Sequence, residues 1–330
     1  MKIVICDYKE PLNRDLNLER SLLKRILGET TEIITYEYEG NIEELKEVIH
    51  NADGILTSYL EFPAEVINST LKLKAISIEA TGYNYVDLAA ATAKGVNVSV
   101  IGEYCTQEVA DHTMALVLAV ARNMKHYQHQ IEVAHRYDYN SISGMFRLEG
   151  SVMGILGLGK IGKAVARRAM GFGLKVIAYD PYSSVEAATQ LGVTLVTLEE
   201  LYESSNIISL HMLQTPENIG IINKEAFLKM KKKPIIVNVS RGAMIVEKDL
   251  LQALDQKLIF GAGLDVLERE THEETEVNPL VGRENVVITP HIAFYSDTSL
   301  YECQRIASEN LAYTLNGEYS KVFRLVNQLH

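Results

Sequence analysis

Three side chains in this sequence have the types needed to hold, polarise and protonate a carbonyl: Arg241, Glu270 and His291. Each follows an apolar run that reads as a strand. Arg241 comes after Ile235–Val239 in Asn-Val-Ser-Arg-Gly, and Glu270 comes after Leu264 in Gly-Ala-Gly-Leu-Asp-Val-Leu-Glu-Arg-Glu. His291 comes after Val286–Ile288 in Ile-Thr-Pro-His-Ile-Ala. In open parallel sheets ligands sit beyond the carboxyl ends of the strands. There the fork of an arginine grips a carboxylate or carbonyl oxygen, and an imidazole exchanges a proton near neutral pH. A carboxylate on the second ring nitrogen fixes the tautomer and favours the imidazolium. Spacing alone leaves a plainer reading open for each: a surface ion pair for Arg241, a solvated place in an acidic loop for Glu270, a turn cap for His291.

A second pattern is more specific. Ser151 to Gly162 reads Ser-Val-Met-Gly-Ile-Leu-Gly-Leu-Gly-Lys-Ile-Gly, with Gly157, Gly159 and Gly162 in G-x-G-x-x-G spacing between a predicted strand and a predicted helix. The first glycine permits the tight turn, the second lets backbone approach a pyrophosphate, and the third lets helix pack on strand. The helix start offers its unpaired N–H groups to phosphate. The next predicted strand, Lys175–Tyr179, ends at Asp180, which is followed by Pro181 and Tyr182 with no arginine directly after. A carboxylate there accepts ribose hydroxyls and repels an added phosphate, so NAD is preferred over NADP. The alternative is a glycine-rich turn without a ligand.

These residues need a scaffold, and the chain reads as one. Strands are predicted at Ile3–Cys6, Glu32–Tyr36, Gly54–Thr57, Ala75–Ile78 and Val96–Val98. Helices at Leu16–Leu27, Ile42–Ile49, Ala64–Asn68 and Val86–Ala93 alternate with them. That is the rhythm of a parallel sheet covered on both faces. One long helix, from about Thr106 to Ala134, is predicted from the apolar positions Val109, Thr113, Leu116, Val120, Met124, Tyr127 and Ile131. Its length suggests a strut between domains. The rhythm then restarts with Ser151–Leu156, Lys160–Met170 and Lys175–Tyr179, and continues through strands at Thr194–Val196, Ile207–His211, Ile235–Val239, Ile259–Leu264 and Val286–Ile288. It closes on a helix, Asp297–Leu315. At 330 residues the chain has the length of two domains.

Composition narrows the function classes. A net charge of −11 opposes long-range attraction to nucleic acid or anionic membranes. No apolar run approaches the roughly 20 residues of a membrane-spanning helix, and the N-terminus lacks a signal-peptide core. Cys6, Cys105 and Cys303 are odd in number and widely separated, which fits a reducing, cytoplasmic setting and no metal site. His126, His129 and His135 have offsets that make no clean metal face.

Taken together, the four motifs Gly-Leu-Gly-Lys-Ile-Gly, Asn-Val-Ser-Arg-Gly, Gly-Ala-Gly-Leu-Asp-Val-Leu-Glu-Arg-Glu and Thr-Pro-His-Ile-Ala resemble the D-2-hydroxyacid dehydrogenase family over nearly the whole chain. Glu-Val-Ala-Asp-His and Phe294-Tyr295-Ser296 look most like the branch of phosphoglycerate dehydrogenase-like enzymes and C-terminal-binding protein corepressors. The resemblance implies an α/β protein of two Rossmann-like or flavodoxin-like parallel-sheet domains with a cleft between them. Residues 1–100 and 296–330 would form a discontinuous substrate domain, and residues 101–295 the NAD-binding domain.

It further implies an NAD-dependent enzyme that interconverts a small D-2-hydroxy acid and its 2-oxo acid. Arg241 would anchor substrate, His291 would act as acid and base, and Glu270 would be its partner. Cofactor contacts would come from Gly157, Gly159, Lys160, Ile161, Gly162, Asp180, Pro181, Tyr182, His211, Met212, Val239, Ser240, Asp265 and Ala293. Asp265 would meet the nicotinamide amide, its alternative being a loop cap at a strand end. Thr81, Gly82 and Tyr83 would offer N–H groups to the substrate carboxylate, against an ordinary turn. Thr113 is placed either at the cofactor or, as its apolar neighbours favour, in the core. Homodimerisation is expected, with the long helix burying part of its stripe on a partner. Two features depart from the pattern: Thr271 stands where many members have proline after the glutamate, and no Lys or Arg occurs within Ser77–Tyr85. A dinucleotide-sensing binding protein and a phosphite-type dehydrogenase are the rival readings.

Overall fold

The computed structural model describes residues 1–327 and 329. It divides into two compact units, Met1–Tyr104 with Ser296–His330, and Cys105–Tyr295.

The first unit is built on five parallel strands: β1 Lys2–Asp7, β2 Glu32–Glu37, β3 Gly54–Thr57, β4 Ala75–Ile78 and β5 Asn97–Val100, in the order β2-β1-β3-β4-β5. Successive side chains point to opposite faces, and here both faces are covered. Val4 and Cys6 of β1 join Ile55, Ile76 and Val98 under the helices Ile42–Ile49, Ala64–Ser69 and Leu88–Ala93. Ile3 and Ile5 face Leu23 of helix Asn17–Leu27 and Ile306, Ala307 and Leu311 of helix Asp297–Leu315. This double burial explains why the strands read as continuous apolar runs rather than alternating ones. The last helix is tied into the unit by polar bonds as well. Ser77 Oγ donates to Ala307 O at 2.8 Å, and Asn310 Nδ2 donates to Val100 O at 3.1 Å.

The second unit carries seven parallel strands: β6 Val152–Leu156, β7 Lys175–Tyr179, β8 Thr194–Leu195, β9 Ile207–Leu210, β10 Ile235–Asn238, β11 Gly261–Leu264 and β12 Val286–Ile288. Their order is β12-β11-β10-β9-β6-β7-β8. Helices Thr106–Ala121 and Lys160–Gly171 cover one face. Helices Leu198–Ser204, Lys224–Lys229 and Glu247–Asp255 cover the other, and were not predicted. They are short, but legible in hindsight from their caps. Thr197 and Glu200 form a capping box, and Asn223 accepts the N–H groups of Glu225 and Ala226.

Two expectations are corrected. The single long helix is two helices, Thr106–Ala121 and Met124–Glu132, separated by Asn123 in the left-handed region (φ 49°). Asparagine tolerates that conformation better than most residues, and the break resets the helical phase. Val109, Thr113, Leu116 and Val120 are buried, whereas Met124 and Ile131 are exposed. The first helix packs on β10, β11 and helix Lys160–Gly171 of its own unit, so its stripe is core and not a strut or a surface for a partner. The acidic stretch after Glu270 is not an open loop but a helix, His272–Val277, capped by the Thr271 hydroxyl.

Candidate active site

The predicted residues of the second unit gather along one rim, the carboxyl ends of β6, β7, β9, β10, β11 and β12. The strand order reverses between β6 and β9, and such a switch point opens a crevice where ligands bind. Gly157 lies in that crevice with φ 93°, and a Cβ on it would meet Met212 N at 2.8 Å. A Cβ on Gly162 would lie 2.1 Å from Gly157 O, so only glycine lets the helix sit this close to the turn. At Gly159 the opposite holds. It opens helix Lys160–Gly171 without a side-chain cap, and nothing lies within 4 Å of where its Cβ would be. Open space in front of uncapped helix N–H groups is what a pyrophosphate requires. Ile161 packs on the core beneath, and Lys160 is exposed beside it.

Asp180 follows β7, next to the glycine turn. Its carboxylate accepts Leu158 N at 2.6 Å, Tyr182 N at 2.8 Å and Ser183 N at 3.1 Å, which fixes it beside the glycine turn. Pro181 is exposed and the Tyr182 side chain almost wholly so. Across the crevice, Ser209 Oγ and His211 Nε2 are 2.8 Å apart, and the buried His211 Nδ1 has no partner. Burial pushes His211 down to about 3, so this ring is neutral where enzymes work. The glycine cradle, the uncapped helix and the fixed carboxylate all suit a dinucleotide.

Arg241, Glu270 and His291 come from the turns after β10, β11 and β12. Asn238, buried at the end of β10, shapes the first turn. Its Oδ1 accepts Ser240 N and Ser240 Oγ, each at 3.0 Å, and its Nδ2 donates to Arg241 O at 2.9 Å. Val239 packs on the core. Gly242 then presses on the next segment: a Cβ there would stand 1.8 Å from Leu267 O. That approach sets Arg241 beside the strand-end that carries Glu270. Its guanidinium donates to Ser240 O at 2.7 Å.

The His291 and Glu270 side chains meet. Nδ1 of His291 and Oε2 of Glu270 are 2.8 Å apart, and both side chains remain about half exposed. The bond to Glu270 raises the His291 pKa. Burial opposes the rise, the Glu270 and Asp265 charges add to it, and the Arg241 charge counters it. Burial pushes Glu270 up, yet its pKa is lowered overall by the His291 bond and charge, Leu267 N–H and Arg241. The Arg241 charge thus acts on both partners.

Asp265 is buried and its carboxylate is fully engaged. Oδ1 accepts Thr289 Oγ1 at 2.6 Å and Ile292 N at 2.9 Å, and Oδ2 accepts Ala293 N at 2.9 Å. In this structure it caps the loop that holds His291. Thr113 is fully buried and donates to Val109 O, a core position. His126 is also structural, its Nδ1 2.7 Å from Glu284 Oε2. Among the described residues, no group of three or more His, Cys, Asp or Glu is placed to hold a metal.

In the first unit, Thr81, Gly82 and Tyr83 form the turn after β4, braced by Tyr85 Oη donating to Gly82 O at 2.9 Å. Among the described residues, the N–H groups of these three have no acceptor. Just before the turn, buried Glu79 accepts Arg14 Nη2 at 2.5 Å, and Arg14 also pairs with buried Glu19 at 2.8 Å. Sequence reasoning did not find Arg14 or Asn238. The Asn-x-Ser pattern after β10 is a turn signal for the second; nothing local marks the first.

Comparison with known proteins identifies the family. The family model described as D-isomer specific 2-hydroxyacid dehydrogenase, NAD binding domain, matches residues 114–293. The chain is 37% identical to a hydroxypyruvate reductase of Blautia hydrogenotrophica (84% of this chain, 86% of that one). It is 36% identical to a glyoxylate reductase of Korarchaeum cryptofilum (83% and 82%). A D-3-phosphoglycerate dehydrogenase of Methanocaldococcus jannaschii is 37% identical, but the match spans only 53% of its length. Among solved structures, a D-lactate dehydrogenase from Aquifex aeolicus complexed with NAD and lactic acid superposes with TM-score 0.84 at 26% identity, covering 99% of this chain and 100% of that one.

Proposed function

The chain belongs to the D-isomer specific 2-hydroxyacid dehydrogenase family and is an NAD-dependent oxidoreductase of 2-hydroxy and 2-oxo acids; on that premise we propose that Arg241, Glu270 and His291 carry its chemistry. The observation that carries this is the 2.8 Å contact between His291 and Glu270 within reach of the Arg241 charge.

When bound, the nicotinamide supplies or accepts a hydride at the substrate's C2. Arg241 orients the substrate and stabilises the charge that grows on its oxygen during reduction. Glu270 holds His291 through Nδ1, which leaves Nε2 as the atom that moves the proton. In reduction, imidazolium Nε2 gives its proton to the oxygen; in oxidation, neutral Nε2 takes it from the hydroxyl. Thr81, Gly82 and Tyr83 bind the substrate carboxylate through their N–H groups. Gly157, Gly159, Lys160, Ile161, Gly162, Asp180, Pro181, Tyr182, His211, Met212, Val239, Ser240, Asp265 and Ala293 line the cofactor. The substrate is small and unphosphorylated: Ser77–Tyr85 contains no Lys or Arg, and Arg14, which pairs with Glu79 just before the turn, is also paired with Glu19.

The direct test is steady-state NADH oxidation against glyoxylate, hydroxypyruvate, pyruvate and phosphohydroxypyruvate, with chiral analysis of the product. Turnover of the small acids to the D product is expected. Preference for the phosphorylated acid would overturn the substrate reading.

Two further outcomes are expected. Asp180→Ala lowers NADH affinity by about 10- to 100-fold, the worth of a charged hydrogen bond of roughly 1.5–3 kcal/mol, and raises the NADPH to NADH ratio of kcat/KM; an unchanged ratio counts against the ribose contact. Glu270→Gln removes the charge that raises His291. Reduction needs the protonated ring, so its alkaline limb moves to lower pH, while oxidation, which needs the neutral ring, begins at lower pH. Paired pH profiles in the two directions check the sign.

The protein acts as a cytoplasmic homodimer that binds neither nucleic acid nor membrane. Support comes from three cysteines outside any disulfide, the −11 charge, and the absence among the described residues of a helix long and apolar enough to cross a membrane. Because helix Thr106–Ala121 is buried in its own unit, the dimer contact falls to the segment after Met124–Glu132. Tyr137 and Tyr139 there are almost wholly exposed beside a groove of about 440 Å³ lined by Arg122, Tyr127 and Ile131.

A further inference from the structure

We propose that His112 is a positioning residue for His291, acting through the Thr289 hydroxyl and the Asp265 carboxylate. The inference rests on the reading of His291 as the proton-transferring group.

His291 has φ 55°. Few residues other than glycine adopt that conformation, and one that does must be held there by its surroundings. The holding groups are all at the end of β11. Thr289 N donates to Leu264 O at 2.9 Å, and His291 N donates to Asp265 O at 2.8 Å. Ile292 N and Ala293 N donate to the two oxygens of the Asp265 carboxylate, and the Thr289 hydroxyl donates to Oδ1 at 2.6 Å. The loop from Thr289 to Ala293 is therefore hung on one buried aspartate.

His112 closes this set from the other side. Its Nε2 lies 2.9 Å from Thr289 Oγ1 and 3.5 Å from Asp265 Oδ1. A threonine hydroxyl has one proton, and here that proton points at Asp265. The bond between His112 and Thr289 then has only one direction: His112 carries a hydrogen on Nε2 and donates it. The imidazole fixes the hydroxyl rotor, and the rotor fixes the carboxylate that carries the loop.

The helix supplying His112 makes a firm post. Val109 and Thr113 beside it are buried, and Leu116 one turn on lies in the core of this unit. Glu-Val-Ala-Asp-His, singled out in the sequence, thus gains a role at the chemistry although its histidine lies 177 residues from Thr289. An ångström of misplacement at a reacting group costs on the order of 100-fold.

The test uses His112→Leu, His112→Gln and Thr289→Val in the full-length enzyme. His112→Leu is expected to lower kcat by about 10- to 100-fold, with KM and NADH affinity changed little, and to shift the alkaline limb of reduction. His112→Gln, which keeps a donor at comparable reach, restores most of the rate and the profile. Thr289→Val reproduces the leucine variant, and the double variant is no worse than either, as expected for one chain of contacts. Should His112→Leu fail to fold, Thr289→Val and the glutamine variant decide. A leucine or valine variant with unaltered kcat and pH profile, beside an inactive His291→Ala, overturns the positioning role and leaves the proton-transfer reading standing. Equal loss in the leucine and glutamine variants with an unmoved pH profile also overturns it. An active His291→Ala instead overturns the underlying reading.

Discussion

His291→Ala is expected to lose about 10²- to 10⁴-fold in kcat for 2-oxo acid reduction, the usual contribution of a positioned general acid, while NADH binds as before. The separation follows from where the groups lie. The glycine turn and Asp180 stand at the ends of β6 and β7, whereas His291 follows β12 at the sheet edge. Removing the ring leaves the Asp265 bonds to the backbone of Ile292 and Ala293 in place, so the loop loses its acid without losing its anchor. NADH titration by its own fluorescence, beside steady-state turnover, reads the two effects separately. Wild-type turnover in this variant would remove His291 from the mechanism.

The second large effect belongs to Arg241. Its replacement by alanine is expected to lower kcat by about 10²- to 10³-fold, the typical cost of deleting one donor to a developing oxyanion, and to raise KM for the 2-oxo acid. Arg241→Lys separates charge from shape. Lysine keeps the charge but lacks the planar fork, so KM recovers in part while kcat stays low. The alanine change also removes a positive charge that opposes protonation of His291. The residual activity of Arg241→Ala therefore persists to higher pH than that of the wild type, a second readout from the same variant. Equal kcat/KM for variant and wild type would exclude Arg241 from the substrate.

Both effects depend on residues whose individual places were readable from local pattern, whereas their meeting was implied only by the family resemblance. The strand runs before Arg241 and His291 end within a residue of the predicted positions, because buried parallel strands announce themselves as apolar stretches bounded by turn residues. The glycine loop was equally plain, since each glycine answers a local steric demand. Errors arose where a local signal had a distant cause. The stripe from Val109 to Ile131 has helical spacing throughout, yet one left-handed residue at Asn123 divides it, and the two halves meet different surroundings. The acidic stretch after Glu270 looked like a solvated loop because its charges hide a short capped helix.

By itself the order of residues determined the parallel α/β rhythm, the dinucleotide turn, the acidic residue at the second strand end and the three polar side chains of the rim. Those are short-range properties: period, turn chemistry and the steric needs of a few bonds. Only the tertiary structure decided that Gly242 brings the Arg241 turn against Leu267, that Asp265 carries the histidine loop, and that His112 stands behind it. Hydrogen bonds depend on distances of tenths of an ångström between groups far apart along the chain. Packing of whole sheets and helices sets those distances, and no local pattern records them.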